Sequence, residues 1–138
     1  MPRDPLSHLR ALCLALPEAH EALAWGAPTF RVRHKLFAMY ASPGTHHGNG
    51  RPAVWIKARP ANQAFMVQAA PRRVFIPPYV GVSGWVGVWL DRRPPWGGVA
   101  GLLRDAYCQA APQRLAAQLT AATAPGLARP ARPAPGQR

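Results

Sequence analysis

Carboxylates are the scarcest chemistry in this chain: five Asp and Glu stand against 17 Lys and Arg, a formal net charge of +12. So few acids exclude paired-carboxylate catalysis beyond Glu18 and Glu21, which lie three apart in a connection and are read as capping or solvated. No Asp, Glu or Cys falls between residues 22 and 90, so His46-His47 lack the further ligands that a zinc or iron site requires. They are read as solvated loop histidines, and no metal or cofactor is expected. The two cysteines, Cys13 and Cys108, form no CxxC and no disulfide framework, which points to reduced thiols in a cytoplasmic protein. Cys13 falls on an apolar helical stripe; Cys108 falls off it, without an adjacent activating base. A glycine-rich phosphate loop, a serine nucleophile elbow and an HExxH are also missing, so no catalytic constellation emerges. No apolar run approaches the length of a membrane span.

What the chain does have is arginine, which supplies 15 of its 17 basic residues. An excess of this size favours polyanions such as nucleic acid, or an anionic membrane surface. The plainer account is genome base composition, which would enrich Arg, Ala, Pro and Gly together without selecting a ligand. At 138 residues the chain is one domain, long enough to bury a core without staples. Leu6, Leu9, Cys13 and Leu16 share one helical face behind Asp4-Pro5, so residues 5–16 read as a core helix stopped by Pro17 rather than as a signal peptide.

A period of two appears repeatedly after that helix. Residues 22–25 read as a first strand. Phe30 and Val32 alternate with Arg31 and Arg33; Leu36, Ala38 and Tyr40 alternate with Lys35, Phe37 and Met39. A hairpin follows, with a two-residue turn or a looser connection at Arg33-His34, since no Asn-Gly or Asp-Gly marks it. Residues 42–52 carry every signal of a loop. Val54, Ile56 and Ala58 then oppose Trp55, Lys57 and Arg59, and Val86, Val88 and Leu90 oppose Trp85, Gly87 and Trp89. Between these strands, Pro60 opens a short helix through about Ala69 with an apolar stripe of Phe65, Met66 and Ala69, and residues 74–76 form a brief strand that Pro77-Pro78 marks as an edge or as the end of a strand rather than a central one. Val99, Leu102, Leu103, Ala106 and Ala110 define a late helix, and Leu115, Ala116 and Leu119 allow another amphipathic segment. The Pro, Ala and Arg-rich residues 123–138 read as a disordered tail after a domain spanning 1–122.

Trp25-Gly26, Pro28, Phe30, Val32, Lys35 and Phe37-Ala38, followed by Pro78-Tyr79, Gly84-Trp85-Val86, Leu90-Asp91 and Asp105-Ala106-Tyr107, resemble the signature of the MmcQ/YjbR family of small bacterial proteins over residues 6–120. His34 stands where that family usually has Gly, and Ala106 where it usually has Ser. The resemblance implies a frataxin-like α/β sandwich and a DNA-binding role without an established reaction. An iron-handling role by analogy with that fold is disfavoured by charge, because a basic surface repels Fe²⁺ and hard cations want carboxylates.

The expected architecture is α+β, a two-layer sandwich with a mostly antiparallel sheet and helices packed on one face. Aliphatic strand faces would meet the helices, leaving Trp55, Lys57, Arg59, Trp85 and Trp89 on the other face with Arg31, Arg33 and Lys35 at its border. Indole rings could stack on bases while the cations meet phosphates, giving a nucleic-acid-binding protein, DNA more than RNA, monomeric and without catalysis. The plainer reading of the same face is that the Trp side chains are covered by residues 42–52 or by a dimer partner and are simply core, and the alternative function is a small-molecule-binding or protein-interaction module.

Overall fold

A computed structural model describes residues 4–44 and 50–123. The expected tail from residue 124 onward and the His46-His47 pair lie outside them.

Asp4 caps the first helix, α1 (Pro5–Leu14), by accepting the Ser7 amide at 2.9 Å, and Pro5 begins the helix at no cost in hydrogen bonds. The Leu16 backbone amide donates a hydrogen bond to the Cys13 carbonyl at 3.2 Å, closing a turn, and the helix ends two residues short of the predicted limit. Next come β1 (Ala19–Ala24), β2 (Ala27–Val32), β3 (Lys35–Ala41) and β4 (Ala53–Ile56), then α2 (Pro60–Ala69), β5 (Val74–Phe75), a 3₁₀ turn over Val80–Ser83 and β6 (Val86–Trp89). Two helices, α3 (Trp96–Ala110) and α4 (Gln113–Thr123), complete the described chain, so helix reaches residue 123, where the tail was expected to begin. The six strands form one sheet in the order β1-β2-β3-β4-β6-β5, antiparallel at every pairing.

All four helices contribute to one side of that sheet, as an α+β sandwich requires. Val54, Ile56, Val86, Val88 and Leu90 meet Leu9 and Cys13 of α1 and Val99, Leu103 and Tyr107 of α3. Tyr107 ties the layers together, donating its hydroxyl to the Pro17 carbonyl at 2.6 Å and meeting Phe37 edge-on. Burial pushes the Cys13 thiol far up, so it stays protonated and inert. The short helix α2 packs less deeply than its sequence stripe suggested: Met66 and Val67 reach the core, but Phe65 faces solvent.

Two local details depart from simple alternation. The β2–β3 register shifts between Phe30 and Arg31, pairing Phe30 with Ala38 but Arg31 with Leu36, which leaves Phe37 as an extra residue on β3. Phe37 therefore joins Ala38 and Tyr40 in the helix-side core, whereas Leu36 sides with Met39 on the opposite face. Trp25, read as the end of the first strand, instead forms a two-residue turn with Gly26 between the paired Ala24 and Ala27. Both turn residues have positive φ, 51° and 74°, the combination that matches the twist of a tight hairpin.

Candidate functional site

The face of the sheet turned away from the helices is not an open platform. Ala27, Met39, Ala41, Ala53, Trp55 and Trp85 form a second apolar cluster there, with Leu36, Phe75, Val80 and Trp89 packed against it. Trp55 is 1% exposed and Trp85 6%, so neither indole offers a stacking face to a ligand at the surface, contrary to the expectation from strand alternation. The covering elements are short and come from later in the chain. Phe75, on the edge strand β5, stacks on Trp89 at 4.1 Å between centroids, and the Arg51 guanidinium lies 4.1 Å from the same indole. Trp89 is thereby half-buried and already engaged.

Above the buried indoles is an apolar groove of about 480 Å³. Its floor is Met39, Trp55 and Trp85, and Leu36 and Val80 form its sides. The two lips are Trp25 and Tyr79, each 68% exposed. Both lip residues sit on unusual backbone. Trp25 has φ 51° in its hairpin turn, and Tyr79 has φ 66° and ψ −70° at the centre of a γ-turn closed by the Val80 amide on the Pro78 carbonyl at 2.7 Å. The Tyr79 side is fixed from beneath by Gln63 of α2, whose amide nitrogen donates to the carbonyls of Gly81 and Trp85 at 2.8 and 2.7 Å. Gly84, at φ 100°, lets this turn approach the Arg59–Pro60 link so closely that a Cβ there would meet the Pro60 nitrogen at 2.6 Å.

The cations predicted from sequence fall into different situations. Arg31 pairs in register with Leu36 of the groove side, is half-buried, and donates Nε to the Thr29 hydroxyl at 3.2 Å, which itself donates to the Ala22 carbonyl. Lys57 continues β4 by one residue, its amide bonded to the Phe37 carbonyl, and by alternation shares the face of Trp55. Arg33 occupies the two-residue β2–β3 turn at φ 58°, with Nε 2.8 Å from Glu18. Lys35 and Arg59 are exposed, the latter at the N-cap of α2. Among the described residues, Lys35, Lys57 and Arg59 have no carboxylate partner within ion-pair distance. The acids are held elsewhere: Glu21 by Arg10, Glu18 by Arg33, and Asp91 by a two-bond Arg51 fork at 2.8 and 3.0 Å. The Arg51 hydrogen bonds hold the Asp91 carboxyl below the usual carboxylate range.

The site thus consists of an aromatic-lipped groove with a cationic end where β2 and β4 finish and β3 begins. Sequence reading found the cations and the floor but missed the lips. Trp25-Gly26 and Pro78-Tyr79 were visible as signature pairs; the clue to their position was their turn chemistry, which places large rings at the ends of strands.

A two-layer antiparallel α+β domain with a grooved second face is the class this architecture defines. Within it, the chain belongs to the YjbR family, whose model matches residues 14–109. The fold is similar to the crystal structure of a Deinococcus radiodurans protein carrying the domain DUF419: the TM-score is 0.66 at 22% identity, covering 79% of this chain and 80% of that one. No curated protein matches the chain.

Proposed function

We propose that this chain is a nucleic-acid-binding module without catalysis, cytoplasmic and monomeric, that holds DNA in preference to RNA through the cationic end of its sheet. The observation that carries the reading is the set of Lys35, Lys57 and Arg59 at that end, without carboxylate partners among the described residues, beside the half-buried Arg31. Phosphate contacts of this kind give affinity that is general in sequence and steep in salt. The reading differs from the sequence-based one in its aromatic component, because Trp55 and Trp85 are core and Trp89 is stacked. Among the described residues, no helix is long and apolar enough to cross a membrane.

A salt-titrated binding assay with single- and double-stranded oligonucleotides tests this. Affinity that falls log-linearly with salt supports it; no binding to either form even at low salt removes it. A second reading, a binder of small apolar molecules, rests on the groove itself, whose volume lies within the range of about 300–1,000 Å³ common for such sites. Thermal stabilisation by small aromatic compounds, with no affinity for oligonucleotides, would favour that second reading.

A further inference from the structure

Neither lip of the groove is built as stability alone would build it. A bulky L-residue at positive φ is disfavoured, and glycine or asparagine is the ordinary solution in both kinds of turn. Here the two positions hold Trp25 and Tyr79, on separate turns, facing the same groove and 68% exposed. Burial cannot account for rings that remain mostly in water. Strain of this sort persists where a side chain is needed in a particular place.

The groove also has a polarity. Its lining is apolar apart from the Tyr79 hydroxyl and the indole N–H groups, whereas the same sheet face ends in Arg31 and Lys57. A fitting occupant is therefore flat and aromatic at one end and anionic at the other. Such a lining presents few hydrogen-bonding groups to the edge of a ring, so it would grip rings of different identity alike.

Resting on the nucleic-acid reading, we propose that the groove receives one unpaired base of a single-stranded segment, held between Trp25 and Tyr79, with the adjoining phosphates toward Lys57 and Arg31. A base inside a duplex is covered on both faces by its neighbours and cannot enter, so this site distinguishes open strands from paired ones. Phosphate contacts hold either form, and base insertion adds to them only for the open strand.

The test compares a short deoxythymidine strand with an abasic deoxyribose-phosphate strand of equal length, using fluorescence anisotropy at low salt. The wild-type chain is expected to bind the base-bearing strand about 5- to 140-fold more tightly, the range for stacking one base. The variant Trp25→Gly/Tyr79→Gly should bring this ratio close to one while leaving affinity for the abasic strand unchanged. Because glycine accepts positive φ freely, the variant should melt no lower than the wild type, which separates loss of the rings from loss of the fold. Equal wild-type affinity for the two strands overturns base insertion and leaves the phosphate reading standing. A ratio that survives in the variant overturns it as well. So does a dimer in sedimentation that the double variant converts to monomer, since a second copy would then be the groove's occupant. Failure to bind either strand overturns both readings together.

Discussion

The ring of Phe75 lies in the space that a Cβ on Gly87 would fill, on the strand paired with its own. That arrangement lets a two-residue edge strand cover the second face of the sheet, because the same ring continues onto Trp89 as a stacked pair at 23°. Trp89 then carries the Arg51 guanidinium, whose fork to Asp91 fixes the end of β6. A missing side chain at one position therefore supports a chain of contacts across the edge of the sheet.

Gly87→Ala should displace Phe75 and lower stability by about 1–3 kcal/mol, as overpacking does. Its near-ultraviolet circular dichroism should lose the Phe75–Trp89 signal. Gly98→Ala in α3 is the control: a Cβ there meets nothing, and helix propensity should raise stability by about 0.5–1 kcal/mol. Equal effects at the two positions would remove the close-contact account of Gly87.

Both faces of β4 are core, which sets the second expectation. Ile56→Ala should cost about 2–5 kcal/mol on the helix side and Trp55→Ala about 3–5 kcal/mol on the groove side, measured by denaturant unfolding. Had Trp55 been a solvent-facing platform, its truncation would cost little.

The helix-side core was legible because Val54, Ile56, Val86, Val88 and Leu90 follow the period of two and the helices follow theirs, so local pattern and global packing agree. The second cluster was not, because Trp beside Lys and Arg on one strand face reads as surface, and its burial depends on Phe75 and Val80 arriving from elsewhere in the chain. The bulge at Phe37 was hidden for the same reason: an extra residue changes the register of a pair and leaves no mark in one strand's alternation. At the candidate site, charges were readable by type alone, whereas the Glu18 partner of Arg33 lies fifteen residues away and emerges only when β1 and β2 pair.

Acid should weaken the sheet edge through Asp91. Its folded pKa lies below the ordinary 3.8, so its contribution is complete above that value and disappears as pH falls through the depressed one. Asp91→Asn should lower stability at neutral pH by about 1 kcal/mol, a modest sum because Arg51 is partly exposed. The stability curves of variant and wild type should converge once the pH has fallen below the depressed folded pKa. A constant difference down to that pH would show that the carboxylate charge contributes nothing.

The β2–β3 turn combines strain with an ion pair at one residue. Arg33→Ala removes the Glu18 contact and keeps a Cβ at φ 58°, whereas Arg33→Gly removes the contact and the strain together. Glycine should therefore be the more stable of the two by about 1 kcal/mol in urea midpoints, despite its greater freedom in the unfolded chain. Alanine equal to or better than glycine would mean that the turn relaxes away from positive φ.

Salt dependence separates the partnered cation from those without a carboxylate. Each phosphate contact on duplex DNA contributes about 0.9 to the slope of log K against log salt, so Lys35→Gln/Lys57→Gln/Arg59→Gln should flatten it by up to about 2.7. Arg33→Gln alone should change it far less, because Glu18 lies 2.8 Å from that guanidinium and already offsets its charge. Arg31 is better left intact, since its bond to Thr29 makes it part of the fold as well as of the border. Oligonucleotide titrations over a range of salt, with melting curves as a control for folding, give all three slopes. If the triple variant keeps the wild-type slope, the phosphates are met by other arginines, and the cationic end of the sheet is not the nucleic-acid surface.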